Sequence, residues 1–307
     1  MSPAPRAGGE TQLAIAAGLS CFTIWGLVPL AFQAMGVLGA SPWEILAHRT
    51  FWAIPAAAVL VVLARQQREV AAVLRTPRTL GWLAVSALLI AGNWCVFIWA
   101  VNNGHVLETS LGYYINPLLN MAVGAVLFRE RIDRAGWAAI ALAAVGVAAQ
   151  AAALGRLPWI SVVLALTFLA YGVVRKRVPA EAQTGLLIEC LMLGVPGLVG
   201  VLWLQQSGQA AFLTGPAVTA WLVFCGPLTA VPLVLFSWSA RRIPLSLLGF
   251  IQFVTPTMTF AIGVLQGESF SPLRALSFGF IWAGVALFLW SSLRALRRAP
   301  APAVEPV

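Results

Sequence analysis

The chain is short of charge. Of its 307 residues only 19 are basic and 10 acidic, about 9%, where water-soluble domains carry about a quarter. A soluble globule of this length could not cover its surface with so few polar groups. A disordered chain needs low hydropathy and high charge, so that class is excluded too. Aspartate occurs once, at Asp133, and histidine twice. An Asp-rich magnesium–diphosphate centre is therefore absent, and there is no HExxH pair for zinc. The four cysteines, Cys21, Cys95, Cys190 and Cys225, form no CxxC or Cys/His spacing and read as small apolar packing residues. There is no Walker phosphate loop and no GxSxG elbow. No arginine series of a voltage sensor and no carbonyl filter loop is present. No catalytic residue, metal or cofactor is expected.

What is abundant is apolar sequence, 60% of residues, with a mean hydropathy of +0.89. A bilayer-spanning helix needs about 20 mostly apolar residues. Ten such runs are legible: Leu13–Met35, Ile45–Ala64, Leu80–Val101, Val106–Phe128, Ala135–Leu154, Leu157–Val174, Thr184–Leu204, Ala217–Ala240, Ile243–Leu265 and Leu273–Leu293. They are continuously apolar, unlike the alternating strands of a barrel. Trp25, Trp43, Trp82, Trp159 and Trp221 lie near run ends, as an interfacial belt requires. Only Arg49, Glu108, Glu189 and Arg274 are charged within the runs. The first run is too long for a cleaved signal and no clear cleavage site follows it.

The basic residues are one-sided. Sixteen fall in the N-terminal tail, the even-numbered connections and the C-terminal tail, against Arg156 alone in the others. This asymmetry predicts both termini in the cytoplasm. The pI near 10.7 then reports topology rather than a nucleic-acid partner, because the cations form no aromatic-interleaved patch.

Five runs precede the link at 155–158 and five follow it, so equivalent helices run in opposite directions. Trp99 and Pro117 recur 139 residues later as Trp238 and Pro256; Glu130 and Gly146 recur 138 later as Glu268 and Gly284. The expected fold class is an all-α membrane protein of ten transmembrane helices in two inverted five-helix repeats, 12–154 and 157–293, with tails 1–11 and 294–307. Inverted repeats are a transporter design with the site near the midplane.

Polar groups at membrane depth are expensive and mark pathways. On the fourth run Glu108, Gly112, Asn116 and Asn120 recur every four residues and share a face. Asn102, Asn103 and His105 form the turn before it. Pro117 removes a backbone donor there. Pro256 does the same in the ninth run, beside Gln252, Thr255, Thr257 and Thr259. Paired proline-interrupted helices point to a central site, although Asn and Thr also serve as interhelical donors. Arg49 could snorkel, pair with Glu108 or touch solute. His48 shares a face with Glu44 and reads as an interior hydrogen-bonded histidine or a proton carrier. Glu189 reads as a partner of Arg175 or Lys176, or as a proton-coupling carboxylate.

The stretches EILAHR, GNWCVFIWAVNNGHVLETSLGYYINPLLN, YGVVRKRVPAEAQTGLLIE and LGFIQFVTPT carry a resemblance. From Ala14 to about Leu293 the chain resembles the EamA-like branch of the drug/metabolite transporter superfamily, and the RarD permeases within it. The resemblance implies ten helices in two inverted repeats. It also implies a secondary permease of the cytoplasmic membrane moving small metabolites or drug-like solutes. A cavity lined by helices 1, 3, 4, 6, 8 and 9 nominates Trp25, Asn93, Tyr113, Asn116, Tyr171, Trp238 and Gln252. Asn120 and Thr255 join them from the polar stripes. The competing class is a membrane-embedded enzyme or a scaffold that transports nothing.

Overall fold

A computed structural model describes residues 7–102, 106–130, 132–153, 159–265 and 272–298. The side chains of Asn102, Glu108, Thr259 and Arg274 lie outside the described set, as do Asn103, His105, Arg156 and Glu268. The described chain is helical: α1 (Ala7–Val37), α2 (Pro42–Leu63), α3 (Gln67–Leu74), α4 (Pro77–Asn102), α5 (Val106–Leu127), α6 (Arg134–Ala153), α7 (Trp159–Arg177), α8 (Ala182–Gln206), α9 (Pro216–Arg242), α10 (Leu245–Gln252), α11 (Val254–Leu265) and α12 (Pro272–Arg298). Helices satisfy their own backbone groups, which a bilayer demands. Six are long and apolar enough to cross one: 9–37, 42–63, 77–97, 159–177, 182–206 and 216–242. Shorter apolar stretches follow in 111–127, 134–149, 245–258 and 275–288. The protein is a multi-pass α-helical membrane protein.

Two elements depart from the sequence expectation. The connection after α2 holds a short helix, α3. It buries Val73 against Leu83, Val178, Ala180 and Ile188, and its apolar face is too short to register as a span. The ninth run is two helices, α10 and α11, broken at Phe253. Pro256 has no N–H for the Gln252 carbonyl, so one rung is lost at that point. The same chemistry at Pro117 leaves α5 continuous.

Carboxylates fasten helix starts, where unpaired N–H groups collect. Glu130 accepts from Leu245 N at 2.6 Å, Ser246 N at 2.9 Å and the Ser246 hydroxyl at 2.7 Å, capping α10. Glu69 accepts from Glu181 N at 2.8 Å and Thr184 Oγ1 at 3.0 Å, at the start of α8. Asp133 accepts from Gly136 N at 2.7 Å and from the Ser291 hydroxyl, joining α6 to α12. These contacts, with Arg242–Glu10 at 2.9 Å and Arg241–Glu181 at 3.2 Å, gather the start of α1 and the ends of α2, α5, α7 and α9 at one arginine-rich end. At the other end Glu44 accepts from Ala211 N at 3.0 Å and Phe212 N at 2.8 Å.

The strongest packing joins early helices to late ones. α2 lies against α8 and α9, α1 against α9 and α11, α4 against α7, α5 against α7 and α10, and α6 against α12. The largest buried cluster therefore draws on α1, α2, α4, α7, α8, α9 and α10.

Candidate functional site

Asn116 and Asn120 lie one turn apart on α5 and meet Gln252, the last residue of α10. Asn120 Nδ2 donates to Asn116 Oδ1 at 3.0 Å and to Gln252 Oε1 at 2.7 Å. Gln252 Nε2 donates back to Asn116 Oδ1 at 3.1 Å. Asn116 Nδ2 reaches the Ala165 carbonyl of α7 at 3.0 Å. All three amides are buried, so their mutual bonding satisfies groups that would otherwise be costly. Gly249 makes this approach possible: a Cβ there would stand 2.7 Å from the Pro117 carbonyl. Asn93 is tied separately to α7, donating to the Leu164 carbonyl at 2.8 Å and Thr167 Oγ1 at 2.9 Å. Thr255 donates to the Phe22 carbonyl of α1 at 2.7 Å.

Next to these amides stands an aromatic cluster. Trp25 packs its ring 5.6 Å from Phe22 and 5.6 Å from Phe168. Tyr171 stacks on Phe236 at 5.9 Å, and Phe168 lies 5.2 Å from Phe236. Trp238, in contrast, sits one turn from the end of α9 under the Arg242 guanidinium, 4.4 Å from its ring. Phe22, Phe168 and Phe236 were not singled out in the sequence. The Phe168–Tyr171 spacing of three on one helix is the signal that could have revealed Phe168; Phe22 and Phe236 join it from other helices.

Glu189 is engaged within the protein. Arg175 Nη1 stands 3.5 Å from its carboxylate, with both side chains almost wholly buried, and the Ser86 hydroxyl donates to it. Arg175 also donates to the Ser237 hydroxyl at 3.1 Å and the Ala182 carbonyl at 3.0 Å. Lys176, the other expected partner, turns instead to the Ala240 and Ile243 carbonyls at 2.7 and 2.8 Å. Ser86 and Ser237 were invisible in the sequence because a lone serine in a span has no pattern.

His48 is buried, and its Nδ1 accepts from the Trp52 indole at 3.0 Å. Its ring lies 4.5 Å from Phe212. Arg49, the next residue, holds its guanidinium 4.1 Å from the Trp94 ring and 5.7 Å from Phe32. Its Nε is buried without a hydrogen-bond partner. Tyr113 and Cys225 are near enough to feel its charge. Tyr113 packs at 5.9 Å from Phe97, yet is 39% exposed. The expected Glu108 partner lies outside the described side chains. A groove of about 370 Å³ between α2, α4 and α8, lined by Trp43, Thr50, Trp94, Cys95 and Trp203 among others, shares Trp94 with the Arg49 site. Among the described residues no cluster of His, Cys, Asp or Glu could hold a metal ion.

Residues 12–150 match the EamA-like transporter family. The chain is 38% identical over 291 residues to Protein RarD of Escherichia coli, covering 94% of this chain and 98% of that protein. It is 39% identical over 292 residues to an uncharacterized transporter of Vibrio cholerae, at 93% and 95% coverage. It is 32% identical over 296 residues to the chloramphenicol-sensitive protein RarD of Pseudomonas aeruginosa, at 95% and 97%. One crystal structure aligns with a TM-score of 0.65 at 20% identity, over 92% of this chain and 98% of that one, which extends the likeness to the fold. The chain belongs to the EamA-like family as a RarD-type permease, a multi-pass membrane transporter for a small-molecule solute.

Proposed function

We propose that the protein exports small metabolites or drug-like solutes across the cytoplasmic membrane by alternating access between two inverted five-helix repeats, 12–154 and 157–293, with both tails inside. The solute path runs between the repeats past Trp25, Asn93, Tyr113, Asn116, Asn120, Tyr171, Gln252 and Thr255, with Trp238 towards its arginine-rich end. The observation that carries this reading is the amide knot of Asn116, Asn120 and Gln252. It joins the two halves beside both prolines, and it offers donors and acceptors that a solute can replace. A second support is the pattern of helix pairs. Shifted by five spans, three of the pairs turn into others that also occur: α1·α9 into α7·α4, α2·α9 into α8·α4, and α5·α7 into α10 and α11 on α1.

Pro117 and Pro256 act as the hinges. Each leaves a carbonyl without its helical donor next to a pathway residue, Tyr113 in one case and Gln252 in the other. Proton coupling through His48 or Glu189 requires the Trp52 bond or the Arg175 pair to break during the cycle. Glu108 is the remaining coupling candidate.

The test has two stages. Metabolite profiles of cells lacking and overproducing the protein identify an exported solute, and flux of that solute is then measured in proteoliposomes. Asn116→Ala and Gln252→Ala are expected to lower flux about tenfold or more while the protein stays folded. Full flux in both variants would remove these residues from the path.

A further inference from the structure

Arg49 and Glu189 hold corresponding places. Each is the eighth residue of its helix, in α2 and α8, so each lies about 10 Å along the axis from its helix start. The two helices pack against one another, and their starts lie at opposite ends of the bundle. Glu189 is neutralised from within by Arg175 at 3.5 Å. No described carboxylate neutralises Arg49, and its Nε is buried without a hydrogen bond. Rings surround it instead: Trp94 at 4.1 Å and Phe32 at 5.7 Å, with Tyr113 close by. A guanidinium at membrane depth is expensive, and ring faces offset only part of that cost. An arginine lying over an indole keeps its edge N–H groups free for the two oxygens of a carboxylate.

We propose that Arg49 is an anion-binding subsite that receives the carboxylate of a monoanionic solute, whose apolar or aromatic body lies against Trp94, Phe32 and Tyr113. The single charge sets the class. One guanidinium balances a carboxylate, whereas a phosphate dianion needs a second cation, and no other described cation stands beside these rings. Among the described residues a cationic solute finds no free acid there either, because the buried carboxylates Glu44 and Glu189 are held by Ala211 N, Phe212 N, Ser86 and Arg175. The proposal rests on the permease reading and adds a source of drive. An inside-negative membrane potential expels an anion, so the charge of the solute suffices for export without a coupling ion.

The probes are phenyllactate, its neutral amide phenyllactamide, and the cationic amine phenylalaninol. They are titrated at pH 7.5 into the purified full-length protein, with tryptophan fluorescence as the readout. Phenyllactate is expected to bind at least tenfold more tightly than the other two. Arg49→Gln is expected to lose that preference while leaving phenyllactamide binding unchanged, and Arg49→Lys to keep part of it. Equal binding of the three probes, or wild-type phenyllactate affinity in Arg49→Gln, overturns the proposal. Inorganic phosphate competing as well as phenyllactate overturns the monocarboxylate class. Proteoliposomes carrying a potassium diffusion potential separate this proposal from the permease reading. Arg49-dependent binding with no flux of any probe or of the exported solute would sink the permease reading and keep the anion site. Flux of that solute without Arg49-dependent anion binding would do the reverse.

Discussion

Arg175 and Glu189 are buried together, and each leans on further polar groups, Ser237 and the Ala182 carbonyl for one and Ser86 for the other. Removing one member strands a charge where water cannot reach it. Glu189→Ala is therefore expected to destabilise the protein by about 3–5 kcal/mol, read as thermal unfolding in detergent. The double variant Arg175→Met with Glu189→Leu should recover most of the loss, since an apolar pair of similar volume is often as stable. Unchanged melting of Glu189→Ala would show that the pair holds nothing. Gly185 belongs to the same site: a Cβ there would collide with the Arg175 guanidinium. Asp133 yields a prediction in pH. The Ser291 hydroxyl, then the Gly136 N–H, hold its carboxyl below the ordinary 3.8. A depressed carboxyl stabilises fully above its unfolded value and loses that contribution as pH falls through the folded value. The stability gap between wild type and Asp133→Ala, about 0.5–2 kcal/mol for a lost helix cap, should stay level from pH 8 to 5. It should close only below about pH 4, and a gap that closes near neutrality would show another group at work.

The break between α10 and α11 is where an element departs most from regularity. Gln252 ends one piece and carries the amide that reaches Asn120. Pro256→Ala restores the missing donor and is expected to join the pieces into one helix. Melting temperature should hold or rise, because a helix-interior proline costs about 3 kcal/mol, while flux should fall several-fold. Unimpaired flux in a stabilised variant would show that the break plays no part in the cycle. Much at this scale was legible beforehand. The apolar runs marked the long helices, six of which are long and apolar enough to cross a bilayer, and the four-residue recurrence of Asn116 and Asn120 beside a proline gave the amide face. Depth alone marked Arg49 and Glu189. What stayed hidden depends on partners remote in sequence. The break falls at Phe253 because of a proline three residues on, while an equally placed proline leaves α5 whole. Glu130 showed as a repeat match, but its target is the start of α10, 115 residues away. α3 is half-apolar and short, so a span-length window passes over it.

Taken whole, the bundle has two unlike ends, and orientation follows if the arginine-rich one faces the cytoplasm. In a background with Cys21, Cys95, Cys190 and Cys225 replaced, a cysteine at Gln209, between α8 and α9, should react with a membrane-impermeant maleimide added to intact cells. One at Gln66, before α3, should react only after lysis. The opposite pattern would invert the topology. The interlocked packing of early and late helices also dictates an order of events during synthesis. α1, α2, α4 and α6 are made while α7, α8, α9, α11 and α12, the helices they rest on, are still untranslated. The first half must therefore wait in lipid with its polar faces unmatched. Two separately encoded halves, 1–156 and 157–307, should accumulate only when made together, and the interval between them is when the nascent chain is most open to membrane proteases.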